Sequence, residues 1–258
     1  MRVLLIDIGN TRVKWARLES GRLGRARAAE YDSWTAEDFA RRVISRRARL
    51  ERIVVSSVVP DAVNRRLSAA ARRAGAPPPE FIATRRRACG VTVGYVDPWR
   101  LGVDRFMAII GAHRRFPRRA VCVVAVGTAM TVDLVGADGR HFGGAIIPAP
   151  ALMTASLLDG TSGIRRRAQG GARAGEHALF GRSTRAAVEQ GTRFTAAAAV
   201  DRAVSEAQSL IGRPPLAVLT GGGAETVEPL IRSAWVFFPD LVLQGLAAYT
   251  QGTAKPTR

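Results

Sequence analysis

Val3-Leu4-Leu5-Ile6-Asp7-Ile8-Gly9-Asn10-Thr11 returns later in the chain as Val121-Cys122-Val123-Val124-Ala125-Val126-Gly127-Thr128-Ala129. Each copy is an apolar, β-branched run with the length of a buried strand, then a Gly followed by small polar residues. Glycine just past a strand lets the backbone turn sharply and approach a ligand, and the Asn or Thr beyond it supplies hydrogen-bond donors. Two such turns facing each other would hold a polyphosphate between them. Taken alone, the repeat is also open to a plainer reading, since buried strands of any α/β protein share this composition. The copies differ where it matters for chemistry: Asp7 in the first is Ala125 in the second.

Composition narrows the field. With 258 residues and 47% hydrophobic content, the chain can build one large core or two ordinary ones. No apolar stretch approaches the roughly 18–20 residues needed to span a bilayer, and the N-terminus enters a strand pattern without a signal-peptide layout. A cytoplasmic protein with no membrane partner is the expectation. Cys89 and Cys122 form neither a disulfide framework nor a metal cluster. The net charge of +18 raises nucleic acid as a partner. The cations are nearly all Arg, however, with Lys only at 14 and 255, and they are dispersed without aromatic interleaving or any helix-turn-helix, zinc or RNA-binding signature. Nucleic acid is therefore disfavoured, and a general attraction for anionic substrates is the simpler inference. The Arg-rich stretches at 85–87 and 165–167 read as solvated loop charge.

Strands and helices alternate along the chain. Val13–Leu18 reads as the hairpin partner of the first strand, with the turn at Ser20-Gly21-Arg22. Thr35-Ala36-Glu37-Asp38 opens a helix as a capping box with Asp at the fourth place, running to about Leu50. A strand over 52–59, a helix over 61–73 and a short strand over 81–84 follow, then a long connection over 85–103 of the kind that tends to be functional. The second half predicts strands over 121–126, 131–136 and 141–147, a helix over 150–158, a mobile loop over 159–174 and a long Ala-rich helix over 184–211. A strand over 216–220 enters Gly221-Gly222-Gly223, a helix follows, and 241–249 closes the chain as another helix. The halves divide as 1–116 and 117–258.

The chain lacks a Walker P-loop, a Gly-x-Gly-x-x-Gly after a strand and a Gly-x-Ser-x-Gly elbow. Asp7-Ile8-Gly9-Asn10-Thr11-Arg12-Val13-Lys14, the turn at Gly127-Thr128, and Gly102-Val103-Asp104-Arg105 at a helix start carry what chemistry remains. Asp104 alone is equally well a good N-terminal helix residue. In order along the chain stand Asp7-x-Gly9-Asn10-Thr11-x-x-Lys14, Tyr95-x-x-Pro98-x-x-Leu101-Gly102-x-Asp104-Arg105, Gly127-Thr128-Ala129-x-Thr131-x-Asp133, Gly143-Gly144-x-Ile146-x-Pro148-x-Pro150 and Gly181-x-x-Thr184. This set resembles the type III pantothenate kinases, including the related Bvg accessory factor proteins, over essentially the whole chain.

The resemblance implies an α/β fold of two duplicated ribonuclease-H-like halves around a central ATP cleft, as in the acetate and sugar kinases and actin. It implies ATP-dependent phosphorylation of the terminal hydroxyl of pantothenate, the first step toward coenzyme A. Asp104 would be the base, and Asp7 would hold Mg2+ directly or through water. The run Asp7, Ile8, Gly9, Asn10, Thr11, Arg12, Val13 and Lys14, with Gly127 and Thr128, would contact ATP phosphates, and Gly221 and Gly222 would line the adenosine pocket. Tyr95, Gly102, Val103, Asp104, Arg105 and Thr184 would bind pantothenate, with Thr184 acting across a homodimer interface that completes the pocket. Family members commonly use a monovalent cation, K+ or NH4+, held partly by an Asp where this chain has Ala125, so its loss is expected. Asp133, spaced at opposite parity, is not expected to stand in for it. Ser183 replaces the usual Asn before Thr184. The other readings are a different small-molecule kinase of the superfamily and a non-catalytic regulatory protein; retention of Asp7, Lys14, Asp104 and Arg105 argues against the latter.

Overall fold

The two copies of the repeated turn lie in two sheets of the same connectivity. The computed structural model describes residues 1–44, 49–173, 175 and 179–253. Strand β1 (Arg2–Ile8) returns through the Gly9 turn as antiparallel β2 (Arg12–Glu19), and both β3 (Arg22–Leu23) and β4 (Arg27–Glu30) pair with β2. Helix α1 (Ala36–Phe39) starts at Thr35, whose hydroxyl accepts from the Asp38 N–H while the Asp38 carboxylate accepts from the Thr35 N–H, the capping box expected. It widens at once into a π turn over Ala40–Ile44, and Arg49 and Leu50 lie outside any helix. Positions 45–48 of that expectation lie outside the described residues.

Strand β5 (Arg52–Ser57) lies parallel to β1, α2 (Asp61–Arg73) follows, and β6 (Pro79–Phe81) pairs parallel with β5. The order is β3-β2-β1-β5-β6. Val63, Leu67, Ala70 and Ala71, at helical spacing on α2, pack with Leu4, Ile6, Ile8 and Phe39 into one core. The long connection over 85–103 contains a hairpin, β7 (Arg87–Ala88) and β8 (Val91–Thr92), turned through Cys89 and Gly90 at φ of 50° and 82°. Helix α3 (Val103–Arg115) then buries Phe106, Met107, Ile109 and Ile110.

The second sheet repeats the plan with β9 (Val121–Val126), β10 (Ala129–Val135) and β11 (His141–Pro148). Helices α4 (Pro150–Gly160), α5 (Ser162–Ala168) and α6 (Thr184–Ile211) lead to β12 (Leu216–Thr220) and β13 (Trp235–Phe237). The order β11-β10-β9-β12-β13 matches the first sheet position for position, with β9 flanked by an antiparallel and a parallel neighbour as β1 is. Helix α5 forms where a loop was expected. Its Arg165 donates to the Leu158 and Asp159 carbonyls at 2.6 and 3.0 Å, capping the end of α4, so this arginine is not solvated loop charge. The helix expected after Gly223 is two short 3₁₀ turns, at Ala224–Thr226 and Glu228–Leu230.

Contacts divide the chain into two units: Met1–Pro117 with Asp138–His141 and the segment from Asp240 onward, and Arg118–Ala137 with Phe142–Pro239. Helix α7 (Leu241–Thr253) thus belongs with the first unit, where it packs on α3. Two glycines allow that contact. A Cβ on Gly245 would lie 1.8 Å from the Met107 carbonyl oxygen, and one on Gly111 2.3 Å from that of Leu241. Gly245→Ala is expected to destabilise the protein by about 1–3 kcal/mol, because backbone rather than a movable side chain must shift; an unchanged urea midpoint would contradict this packing. No helix of the described residues is long and apolar enough to cross a membrane.

Candidate active site

In the first unit the sheet register gathers a carboxylate, an ammonium and a hydroxyl. Asp7 lies opposite Lys14 on β2 and opposite Ser56 on β5, and neighbours across a ladder project from the same face. Asp7 Oδ1 is buried without a hydrogen-bond partner, and so is Ser56 Oγ. The Asp7 carboxyl is pushed up to about 7, first by burial and then by the negative charge of Asp104, while the Ser56 hydroxyl and the Lys14 ammonium pull the other way. Asp104 stands in the first turn of α3, its Oδ1 accepting from the Arg105 N–H at 2.8 Å. The preceding Gly102 leaves it room: a Cβ there would lie 2.6 Å from that oxygen.

The first turn is closed by the Gly9 N–H donating to the Arg12 carbonyl at 3.0 Å. Buried Tyr31 holds it from beneath, its hydroxyl 2.6 Å from the Gly9 carbonyl and 3.4 Å from that of Asn10. Asn10, Thr11 and Arg12 are left exposed, whereas Ile8 and Val13 are fully buried in the core and offer a ligand only their backbone. Val103 is likewise buried at the head of α3. The Tyr95 ring stacks on buried His141 with centroids 5.7 Å apart, and the Arg105 guanidinium lies 5.7 Å from the same ring. Arg86 donates to the carbonyls of Val93, Tyr95 and Val96, at 2.6 Å in the case of Tyr95. It therefore anchors the loop that carries Tyr95, a role opposite to the solvated charge expected of it.

In the second unit the corresponding turn closes one residue tighter, Gly127 N–H to the Ala129 carbonyl at 2.9 Å, with Thr128 exposed at its apex. The triple glycine lies directly on it. Gly223 N–H donates to the Val126 carbonyl at 3.0 Å, and a Cβ on Gly221, whose φ is 95°, would lie 2.3 Å from that carbonyl oxygen. The phosphate turn and the glycines expected at the adenosine pocket are therefore brought together, with exposed Gly222 at the rim. Ala125 lies between Thr131 and Thr220, so its ladder neighbours are hydroxyls. The register corrects the parity argued for Asp133: Asp133 pairs with Val123 two residues along from the Thr131–Ala125 pair, which places it on the same face as Ala125. Thr184 opens α6, where the Ser183 hydroxyl accepts from the Ala186 N–H at 3.1 Å and so does the capping that an Asn would do. Gly181 is held by close approach, since a Cβ there would lie 2.3 Å from the Ala187 nitrogen.

Among the described residues no group of three or more His, Cys, Asp or Glu is arranged to hold a metal. Mg2+ takes one or two carboxylates and completes its shell with phosphates and water. The orphaned, buried Oδ1 of Asp7 is a ready ligand of this kind.

Duplicated sheets with a glycine turn at corresponding places are the architecture of the actin-like ATPases and sugar kinases. Among solved structures the chain is similar to a ROK family glucokinase from Streptomyces griseus, with a TM-score of 0.52, 13% identity and coverage of 98% of this chain and 100% of that one. It is also similar to a putative Baf family transcriptional activator from Campylobacter jejuni, with a TM-score of 0.57, 17% identity and coverage of 96% and 97%. A family model for type III pantothenate kinase matches residues 3–206. Curated type III pantothenate kinases of Nitrosococcus oceani and Halorhodospira halophila are 34% and 39% identical to it, over 99% and 98% of this chain and 96% and 99% of theirs. The chain belongs to the type III pantothenate kinase family.

Proposed function

We propose that this chain transfers the γ-phosphoryl group of ATP to the terminal hydroxyl of pantothenate, giving 4′-phosphopantothenate in the first step of coenzyme A biosynthesis. The observation that supports this most directly is the pair of carboxylates in the first unit, Asp7 with an unsatisfied buried oxygen and Asp104 beside a Gly102 whose missing side chain leaves it room. Phosphoryl transfer asks for in-line positioning, neutralised phosphate charge and an oriented nucleophile. Asp104 orients the pantothenate hydroxyl and accepts its proton. Arg105, presented over Tyr95, binds the substrate through its forked donors. In the first unit, Lys14 and the exposed Asn10, Thr11 and Arg12 are the phosphate contacts; in the second, the exposed Thr128 is the phosphate contact and the opened backbone at Gly221 and Gly222 leaves space for an adenosine.

Asp7 holds Mg2+, directly or through water; when bound, the ion supplies charge neutralisation at the phosphates. The working form is a homodimer in the cytoplasm, with Thr184 completing the partner's substrate pocket. Ile146, Leu152 and Leu157, 66%, 43% and 40% exposed on β11 and α4, give the second unit an apolar surface to cover.

The test is ADP release that depends on pantothenate, with mass-spectrometric detection of phosphopantothenate. Release that needs a sugar or another acid instead would assign a different kinase of this superfamily. Since Ala125 provides no carboxylate, the rate is expected to be the same in potassium and sodium buffers at equal ionic strength. A clear preference for potassium would overturn this and direct attention to Asp133.

A further inference from the structure

The first unit contains a cavity rich in cationic groups, formed by residues that the kinase reading does not use. It has a volume near 580 Å³ and is lined by Arg17, Arg22, Arg25, Arg27 and Arg42 with Glu19 as its one acidic member. The register explains the convergence. Arg17 lies opposite Leu4, Arg27 opposite Trp15 and Arg22 opposite Glu19, and residues 15, 17 and 19 alternate onto one face of β2. Three arginines from three strands therefore rise from the face whose floor is buried Leu4 and Trp15. The chain between β3 and β4 is folded back by the Gly24 N–H bonding the Arg17 carbonyl at 2.8 Å, which brings Arg25 to the rim. On the opposite wall Arg42 issues from the π turn, held 5.2 Å over the Trp34 ring and 3.8 Å from Asp38, with buried Val43 beside it. π turns recur at functional sites because the extra residue re-aims a side chain.

Among the described residues, Arg17, Arg22, Arg25 and Arg27 make no ion pair. All five arginines are exposed, so water and salt moderate their mutual repulsion, and an anion bridging them would draw on several positive charges at once. Arginine's planar fork matches phosphate oxygens two at a time. A cavity of this size falls within the roughly 300–1,000 Å³ of small-molecule sites, and a linear phosphate chain is the small ligand that carries several negative charges over such a length. We propose that this cavity binds a polyphosphate group, free or carried by a nucleotide, at a site made by β2, β3, β4 and the π turn and separate from Asp7 and Asp104.

The experiment is calorimetric titration of the full chain with inorganic tripolyphosphate, and in a second arm with ATP without magnesium. The double variant Arg17→Ser/Arg27→Ser is compared with the parent and with a control of equal charge loss, Arg72→Ser/Arg213→Ser. The expected result is one fewer tripolyphosphate bound per chain in the first variant, no change in the control, and parent-like pantothenate kinase rates in both. Loss of the site in the ATP arm as well assigns a nucleotide-borne chain; its loss only with tripolyphosphate assigns a free one. No lost site in either arm, or equal losses in variant and control, would overturn the proposal, the latter reducing it to general attraction by the positive field. If the double variant does not fold, Arg22→Ser on the short β3 serves instead, with the same site lost or its affinity at least tenfold weaker; parent-like binding overturns it. A failure of the kinase reading would remove activity from every protein tested and leave this difference in stoichiometry standing.

Discussion

Asp104→Asn is expected to lower kcat by about 10²–10⁴-fold, the range of a positioned general base, while the melting temperature and ATP affinity stay near those of the parent. Asn retains an oxygen that can accept the Arg105 N–H, so the head of α3 keeps its local hydrogen bond. What it loses is the capacity to take a proton. Steady-state kinetics with saturating ATP, alongside a thermal melt, separate the two effects, and a parent-like kcat would remove Asp104 from the mechanism. Non-catalytic use of this fold would show no pantothenate turnover in either protein.

Asp7→Asn is expected to abolish activity and yet stabilise the fold at alkaline pH. The folded-state value of about 7 stands above the unfolded value of 3.8, so the folded chain holds this proton more tightly. Below pH 4 the carboxyl is neutral in both states and costs nothing. As pH rises from 4 through 7 the buried carboxylate must ionise, and stability is lost progressively, by on the order of 4 kcal/mol above pH 7 at 1.36 kcal/mol per unit. A neutral Asn avoids that loss. Denaturation in EDTA should therefore show the variant well above the parent at pH 8 and level with it at pH 4; equal midpoints at both would mean that Asp7 is not strained by burial. The same reasoning makes protons compete with Mg2+ at Asp7, so metal affinity should weaken below pH 7.

The elements that announced themselves were those whose signals are local. The α6 limits at Thr184 and Ile211 follow from the Ser183 cap and from Gly212, in the left-handed region at φ 75°. The Thr35 box and the Leu216–Thr220 strand are of the same kind. The repeated turn foretold the matched strand orders, because a buried apolar run ending in glycine specifies both a central strand and its return.

What escaped is decided by tertiary partners. Trp235–Phe237 is only three residues long and becomes a strand because β12 offers it a parallel edge. Helix α5 survives Gly163 because Arg165 ties it to the end of α4. At the candidate site, the glycine-led helix start that carries Asp104 and Arg105 was legible. Tyr31, Arg86 and Ser56 were not: the first two act on backbone carbonyls, which no side-chain pattern advertises, and Ser56 matters only because β5 comes to lie beside Asp7. His141 stacks on Tyr95 from far along the chain, and its sequence neighbourhood gives no hint of it.

The placement of α7 has a consequence for how the protein is made. The first sheet and α3 are synthesised before the second unit, but the helix that covers them, through contacts of α7 with α3, β1, β2 and β5, is synthesised after it. Domains generally fold as units in order of synthesis; here the earlier unit must wait, with part of its apolar surface uncovered, until the second unit has been synthesised. The unit built around Gly127 can fold first, and a chain interrupted before Asp240 leaves the Asp7 half unfinished.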